Sequence, residues 1–445
     1  MRLLYDIFFI LFSIFYLPYF LLKGKYHADF AQRFGIFAKG AFNKVTRAKP
    51  IWLHAVSVGE VKTAEALMRK IRDLFPSVRF VISSVTKTGR DIAAAIAGKD
   101  DLVIYFPLDL SFVVRRAVKL INPAIFIVIE TEIWPNLITE LYRKKVPVVL
   151  VNGRLSPGSF RNYRLIKPVI KGILNKFTLF CMRTKNDAER IKKLGAPSGR
   201  LKVTGNMKFD GAFLKNGEKN AGQCFPAGNR NFWLGKSSKL IIAGSTHQGE
   251  DGKILKSYRA LRKNFPELRL LIAPRHIERS AEIGALIRKS GFKAVRLSEI
   301  EKTGYAANGK NAAYDNNSVF ILDSMGRLGS LYEFAAVVFM GGSFVPRGGH
   351  NFIEPAMYSK PMLTGPHIHN FRDMSELFIK EGALEVVNGG RELENSLRRL
   401  ISDESICRER GQKAKKVILD NVGAAKKNAL LIKELMSEAK PHSNL

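Results

Sequence analysis

The chain has 445 residues, of which 46% are hydrophobic and 10% aromatic, enough for two or three folded domains and too many for a disordered protein. Lysine and arginine number 72 against 39 acidic residues. The resulting net charge of +33 indicates an anionic partner, whether nucleic acid, an acidic membrane or a phosphorylated substrate. The three cysteines lie far apart and none forms a CxxC or zinc spacing, which excludes a disulfide framework and favours a reducing compartment.

The N-terminus is strongly apolar. Residues 7–22 read IFFILFSIFYLPYFLL and are followed by Lys23 and Lys25. Because no small-residue cleavage site follows, we predict an uncleaved membrane anchor over residues 1–24, either spanning the bilayer or lying in its interface. The basic residues after the anchor favour a cytoplasmic body. A helix buried in the core of the protein is the alternative.

Beyond residue 50 the chain alternates apolar runs with amphipathic stretches of helical period. In the first half the predicted strands are Ile51–Val56, Val78–Val85, Ala124–Glu130, Val146–Val151 and Phe177–Met182. These runs are continuously apolar rather than alternating, which predicts strands that are buried on both faces. The expected architecture is therefore a parallel sheet covered by helices.

A stretch rich in Gly, Asn and Lys interrupts this pattern over residues 211–239, and we interpret it as a linker. The pattern then restarts with predicted strands at Leu240–Ser245, Leu268–Ala273, Ser318–Asp323, Ala335–Met340 and Pro361–Thr364. We predict two doubly wound α/β lobes with a cleft between them, over residues 25–210 and 240–445, the last helices being able to pack back on the first lobe. Ligands of such sheets bind at the carboxyl ends of the strands.

Charged side chains lie near strand ends at three places in the first lobe. Glu60, in LHAVSVGE, opens a helix, where it could act as a general base or merely compensate the helix dipole. Glu130 and Glu132, in IVIETEIW, follow a buried strand, where carboxylates are costly unless solvated or paired. An ion pair that supports the loop is the structural alternative. Lys208, in VTGNMKFD, could hold a carboxylate or a phosphate.

The loops of the second lobe suit a nucleotide. Arg275 comes at a strand end, where a guanidinium is suited to phosphate. Met325 and Gly326 precede a helix, and in GGSFVPRGGHNFIEP the side chain of Glu354 could take two ribose hydroxyls. The sequence has no GxxxxGK[ST] loop and no DxD pair to hold a metal against a diphosphate. This favours a donor that carries a single phosphate and needs no metal ion.

The strings LHAVSVGE, ETEIWPNL, VNGRLS, GNMKFD, APRHIER, FMGGSFVPRGGHNFIEPA and LTGPHIHNF occur in this order. Together they resemble the 3-deoxy-D-manno-octulosonic acid (Kdo) transferase family over nearly the whole chain. The resemblance implies a GT-B fold with two Rossmann-like lobes, anchored at the cytoplasmic face of the inner membrane. It also implies inverting transfer of Kdo from CMP-Kdo to a lipid A precursor (lipid IVA) in lipopolysaccharide synthesis, with no metal and no cofactor.

By the same resemblance Glu60 is the general base, and Glu130 and Lys208 stabilise the transition state. The residues that it implies as CMP contacts are Pro274, Arg275, Met325, Gly326, Arg327, Asn351, Phe352, Ile353 and Glu354. Arg327 departs from the family pattern, since many members carry an acidic residue there.

The sequence leaves two alternative functions. A GT-B enzyme that uses a UDP-sugar is the enzymatic alternative. A nucleic-acid-binding protein is disfavoured, because the sequence has no zinc spacing, no RNP string and no basic helix interleaved with aromatics.

Overall fold

The computed structural model of the protein describes residues 5–7, 9–11, 29–46, 48–211, 238–302 and 315–438. The chain forms two compact units, of which unit 1 comprises residues 1–211 and 421–445 and unit 2 comprises residues 212–420. Nearly all of the predicted linker falls outside the described residues.

Unit 1 is built on a parallel sheet. Its strands are β1 (Ile51–His54), β2 (Phe80–Ser84), β3 (Leu102–Tyr105), β4 (Ile125–Ile129), β5 (Val148–Gly153), β6 (Leu179–Met182) and β7 (Leu201–Val203). They pair in parallel in the order β3-β2-β1-β4-β5-β6-β7. Every residue of β1, β2, β4, β5 and β6 is buried, as expected of a sheet covered on both faces.

One helix precedes these strands and the others connect them. They are α1 (Asn43–Thr46), α2 (Val58–Leu74), α3 (Lys87–Ile96), α4 (Ser111–Ile121), α5 (Pro135–Arg143), α6 (Pro157–Leu165), α7 (Lys167–Leu174) and α8 (Lys185–Lys193). The hydroxyls of Ser156 and Thr184 cap α6 and α8 by accepting a backbone N–H three residues on. Trp52 and Phe126 from the sheet pack in one core with Val114 and Leu137 from the helices.

Unit 2 repeats the design. Its strands are β8 (Lys239–Thr246), β9 (Leu268–Pro274), β10 (Lys293–Arg296), β11 (Ser318–Ile321), β12 (Ala335–Met340), β13 (Met362–Thr364) and β14 (Leu384–Val386). They pair in parallel in the order β10-β11-β9-β8-β12-β13-β14. Its helices are α9 (Asp251–Arg262), α10 (Ser280–Lys289), α11 (Leu297–Lys302), α12 (Leu328–Leu331), α13 (Ile353–Met357), α14 (Arg372–Lys380), α15 (Gly390–Ser402) and α16 (Glu404–Asn421).

The last helix, α17 (Ala424–Glu438), belongs to unit 1, where it packs against α2. Ala425 and Ile432 are buried on it. Just before it, the backbone N–H of Gly423 donates to the Asp210 carboxylate at 2.9 Å. Unit 1 is therefore assembled from two separate segments of the chain.

The prediction of two parallel α/β sheets wrapped by helices is confirmed. All ten predicted strands are present, and four more, β3, β7, β10 and β14, complete the two sheets.

The predicted membrane anchor is not supported. Most of residues 1–24 lie outside the described part of the chain, and residues 5–7 and 9–11 are helical. None of the helices within the described ranges combines the length and the apolar composition that a membrane-spanning helix requires.

One residue of this N-terminal segment is held firmly in unit 1. Asp6 is 9% exposed, and its carboxylate accepts hydrogen bonds from the backbone N–H of Ser111 at 3.1 Å and from Asn136 Nδ2 at 2.7 Å. Beside it, Asp109 accepts the backbone N–H groups of Asn136 and Leu137 at 3.0 and 2.8 Å, and burial raises the pKa of Asp109 to about 7. The two carboxylates thus meet the amino-terminal ends of α4 and α5.

Asp6→Ala is expected to lower the free energy of unfolding of unit 1 by about 1–3 kcal/mol, because it removes a buried acceptor from Ser111 and Asn136. Urea unfolding followed by tryptophan fluorescence measures the change. Ile10→Ala, in the same segment but exposed, is the matched control and is expected to change stability by less than about 0.5 kcal/mol. Equal effects of the two substitutions would contradict the assigned role of Asp6.

Candidate functional site

Glu60 lies where the sequence predicts, in the first turn of α2 directly after β1. Its Oε2 accepts the backbone N–H of Val56 at 2.7 Å, and its Oε1 accepts the hydroxyl of Ser57 at 2.9 Å. These contacts resemble a helix-capping arrangement and fix the carboxylate in place. Burial raises the pKa of Glu60, the two hydrogen bonds lower it, and the charge of Glu130 raises it.

Glu130 follows β4 with a φ of +60°, a left-handed conformation that costs energy for a residue with a Cβ. Its backbone N–H donates to the carbonyl of Val151, and its Oε1 lies 3.4 Å from the ammonium of Lys208. Both side chains are partly exposed. The structure therefore brings together the two residues that the sequence predicts as a carboxylate and a cation after different strands.

Asn152 helps to position Lys208 by binding the backbone of the residue before it. Asn152, in β5, is fully buried with a φ of +56°, and its Oδ1 accepts the backbone N–H of Met207 at 3.0 Å. The backbone N–H of Lys208 donates to Asn206 Oδ1 at 3.1 Å. Sequence reasoning did not assign this role to Asn152, because its left-handed backbone becomes visible only in the structure.

A third carboxylate belongs to the same cluster. Burial, together with the charges of Glu60 and Glu130, raises the pKa of Glu132 to about 7. Since Glu60 follows β1 and both Glu130 and Glu132 follow its parallel neighbour β4, the three carboxylates share one edge of the sheet, which we call the carboxylate cluster (Glu60, Glu130, Glu132). From the sequence, Glu132 is identified as a carboxylate after a buried strand, but no catalytic role is assigned to it. A carboxyl group with a pKa of about 7, as at Glu132, can exchange protons near neutral pH.

Glu132→Gln is expected to flatten the pH dependence of unit 1 stability. A raised carboxyl pKa means that the folded state binds the proton more tightly than the unfolded state, so the free energy of unfolding falls as the pH rises from about 4.5 to 7. The variant cannot titrate there, and the fall between pH 5 and pH 8 should shrink by about 1–3 kcal/mol. Urea unfolding at both pH values measures this. Glu65→Gln, on α2, is the control, and equal pH dependence in wild type and Glu132→Gln would contradict the prediction.

In unit 2 the predicted nucleotide contacts follow three strands, β9, β11 and β12. In the sheet β11 pairs with β9, and β8 lies between β9 and β12. Pro274 and Arg275 come at the end of β9, where the backbone N–H of Arg275 donates to the carbonyl of Thr246 at 2.9 Å and its side chain is exposed. Residues 325–327 follow β11, and residues 351–354 follow β12. Since β11, β9, β8 and β12 are parallel neighbours, all three segments share the carboxyl edge of the sheet.

The three segments differ in what they expose. Met325 is 77% exposed, and Gly326 has a φ of +81°, which suits glycine. Glu354 is exposed at the start of α13, while Asn351 accepts the backbone N–H of Ile353 at 3.1 Å. The side chains at three further positions, Pro274, Phe352 and Ile353, are buried. Only their backbone could therefore contact a ligand.

Sequence reasoning missed Glu250, which organises this edge. Its side chain is fully buried, and Oε2 accepts the backbone N–H groups of His247 at 2.8 Å and Gly342 at 2.6 Å. Oε1 accepts those of Ser343 at 3.0 Å and Phe344 at 2.8 Å. The carboxylate thereby ties the loop after β8 to the loop after β12. The only sequence signal was an acidic residue at a helix start, which dipole compensation explains equally well.

Among the described residues, no group of three or more His, Cys, Asp or Glu side chains is arranged to hold a metal ion.

Comparison with known proteins gives consistent results. A family model described as 3-Deoxy-D-manno-octulosonic-acid transferase (kdotransferase) matches residues 28–211. The chain is 32% identical to a 3-deoxy-D-manno-octulosonic acid transferase of Haemophilus influenzae, over 92% of each protein. It is 30% identical to the same enzyme of Aquifex aeolicus, over 79% of this chain and 86% of the relative.

Among solved structures, UDP-GlcNAc 2-epimerase from Neisseria meningitidis bound to UDP-GlcNAc has a TM-score of 0.58 and 14% identity, covering 87% of this chain and 100% of that one. The S. aureus MnaA–UDP co-structure has a TM-score of 0.52 and 14% identity, covering 88% and 98%. At such low identity these likenesses show the fold alone, which is of the GT-B type. The relatives, by contrast, match at an identity and coverage that show the family: the chain belongs to the 3-deoxy-D-manno-octulosonic acid transferases, glycosyltransferases of lipopolysaccharide synthesis.

Proposed function

We propose that the protein transfers Kdo from CMP-Kdo to a lipid A precursor, lipid IVA, with inversion of the anomeric configuration. Family membership supplies the coarser statement, a Kdo glycosyltransferase of lipopolysaccharide synthesis. The acceptor, the stereochemistry and the roles of individual residues belong to the proposal.

The observation that carries the proposal is the carboxylate of Glu60. A sugar hydroxyl is a poor nucleophile until its proton is being removed, and a half-buried carboxylate with a raised pKa is suited to take that proton. In the proposed step the acceptor oxygen attacks the anomeric carbon of Kdo and its proton goes to Glu60. The bond from that carbon to the phosphate oxygen breaks, and the electron pair leaves with CMP.

The Glu130–Lys208 pair is assigned to the transition state. As the bond to CMP breaks, positive charge develops on the sugar ring, next to the carboxylate that Kdo carries at the reacting carbon. The ammonium of Lys208 would hold that carboxylate, and Glu130, 3.4 Å away, would keep the ammonium in place. A preorganised charge of this kind needs no rearrangement at the moment of reaction.

Unit 2 is assigned the nucleotide. The exposed guanidinium of Arg275 is suited to the phosphate and the exposed carboxylate of Glu354 to the ribose hydroxyls. The carbonyl of Arg327 accepts the hydroxyl of Ser330 at 2.8 Å, which supports the start of α12. If the nucleotide contacts only the backbone here, the departure of Arg327 from the family pattern is without effect on affinity.

The partners and the location follow from the same proposal. A lipid acceptor with phosphates on its sugar and an anionic inner-membrane surface on the cytoplasmic side both suit a net charge of +33. The reaction as proposed needs neither a metal nor a cofactor, because the donor carries one phosphate. Nucleic acid is not among the proposed partners.

Mass spectrometry of the product tests the proposal directly. Purified full-length protein, CMP-Kdo and lipid IVA in detergent should give a product heavier by one or more Kdo units, together with free CMP. Product formation from a UDP-sugar instead, or protection against thermal unfolding that is stronger with UDP than with CMP, would favour the UDP-sugar alternative.

Glu354→Ala is expected to raise the KM for CMP-Kdo by about one to two orders of magnitude. The variant loses a charge-assisted hydrogen bond, which costs about 1.5–3 kcal/mol, and each 1.4 kcal/mol is tenfold in binding. Calorimetric titration with CMP and 2′-deoxy-CMP measures the corresponding loss of nucleotide affinity. The affinity for the deoxy ligand should change little, because one hydroxyl partner is already missing. Arg275→Ala is the companion variant and should weaken CMP far more than cytidine. Equal losses for all three ligands would contradict both assignments.

A further inference from the structure

Two histidines of unit 2 contact each other directly, and the reaction as proposed uses neither of them. His247 follows β8 and His350 lies in the glycine-rich loop after β12, with their Nε2 atoms 3.1 Å apart. Their rings are parallel to within 4°, with centroids 5.3 Å apart. A hydrogen bond between two imidazole nitrogens needs one N–H and one lone pair, so at most one of these two atoms carries a proton in this geometry.

The surrounding backbone fixes this pair. Glu250 accepts N–H groups from both loops that carry the histidines, as described above. Gly342, with a φ of +67°, lies against the rings, and a Cβ at that position would be 3.0 Å from His350 Nε2. The close approach of the two rings therefore depends on a buried carboxylate and on a glycine that leaves room for them.

The charges around the pair are mostly positive. The charged and titratable groups that act on it are Glu250, Arg275, His276 and Arg347. Burial, with smaller contributions from His247, Arg275 and His276, lowers the pKa of His350 to about 4. Burial is also the main cause that lowers the pKa of His247. The Glu250 oxygens already accept four N–H groups, so this carboxylate cannot turn toward a protonated ring.

An anion beside Arg275 would reverse this balance. An opposite charge within about 4–6 Å favours the charged form of an imidazole and raises its pKa by about 1–3 units. A phosphate that carries two negative charges at pH 7 is such an anion. Its arrival would bring the proton affinity of the pair toward the neutral range.

We propose that the His247–His350 pair takes up a proton when a nucleoside monophosphate binds to unit 2, and that it donates this proton in a hydrogen bond to the phosphate. The inference rests on the proposed function, because it takes the phosphate beside Arg275 to be that of CMP. When the bond between Kdo and the phosphate breaks, the phosphate gains a second negative charge, and the proton held by the pair compensates it.

Calorimetry with the full chain at pH 7.0 tests the proposal, in two buffers that differ in ionisation enthalpy. With CMP as the probe, wild type should take up about half a proton, and with cytidine none. His350→Asn and His247→Asn should still bind CMP, several-fold more weakly, without the uptake. If either asparagine variant fails to fold, the corresponding glutamine variant replaces it. His369→Asn, the same substitution at an exposed histidine of unit 2, is the matched control and should keep the uptake.

The outcomes separate this inference from the proposed function. CMP binding without proton uptake, or uptake that persists in both histidine variants, overturns the role of the pair and leaves the nucleotide site standing. Absence of CMP binding to the wild type contradicts the proposed donor, and the inference falls with it. A ³¹P spectrum of bound CMP checks that the phosphate itself has not gained the proton.

Discussion

Glu60→Gln is expected to reduce the rate of Kdo transfer by about 10²–10⁴-fold, the usual contribution of a general base. Glutamine keeps the size of the side chain and an oxygen that can accept the N–H of Val56, but it cannot take the proton of the acceptor hydroxyl. The loss should therefore fall on the rate of a single turnover. The affinity for CMP should be unchanged, because the nucleotide is assigned to unit 2.

Two measurements distinguish a loss of transfer rate from a loss of CMP affinity. Rapid-quench kinetics with saturating CMP-Kdo gives the rate of transfer, and titration with CMP gives the affinity. Glu65→Gln, on the same helix α2, removes a carboxylate that pairs with Arg69 at 2.8 Å, and it should leave both quantities near their wild-type values. A Glu60→Gln protein with near-normal turnover would show that Glu60 serves only as a helix cap.

Lys208→Met is expected to lower kcat by about 10²–10³-fold, the range seen when one preorganised electrostatic partner of a transition state is removed. Methionine keeps most of the length of the side chain without the charge.

Lys202→Met is the matched control. Lys202 lies on β7, the strand that precedes Lys208 in the chain, and its side chain is exposed. This substitution should leave kcat unchanged. Since Glu130 and Lys208 form one ion pair, the double variant Glu130→Gln, Lys208→Met should lose less than the sum of the single losses. A loss that appears only in the KM for the acceptor, with kcat unchanged, would contradict the assigned role of Lys208.

The strands show where sequence reasoning succeeds and where it stops. It predicts every interior strand of both sheets, because an interior strand such as β4, IFIVI, is buried on both faces and reads as an unbroken apolar run. The four strands that it does not predict, β3, β7, β10 and β14, are the four edges of the two sheets. An edge strand such as β7 (LKV) or β10 (KAVR) is short and partly exposed, so its sequence carries no comparable signal.

The site divides in a similar way. Glu60, Glu130 and Lys208 could be predicted as residues at strand ends, because the chemistry of their side chains is visible in the sequence. Their juxtaposition could not, since it depends on backbone conformations such as the φ of +60° at Glu130. Glu250 shows the limit most clearly: it is one charged residue among many in the sequence, and its four backbone partners come from two loops about ninety residues apart.

The position of α17 near the end of the chain means that unit 1 is completed only after unit 2 has been synthesised. Helix α17, which packs against α2, follows all of unit 2 in the chain. About 210 residues must therefore leave the ribosome between the first segment of unit 1 and its last helix. At typical rates of about 5–20 residues per second this interval lasts tens of seconds. During it α2, which carries Glu60, lacks its final packing partner. A chain released early, within unit 2, would carry the whole carboxylate cluster on a sheet whose last supporting helix had never been made.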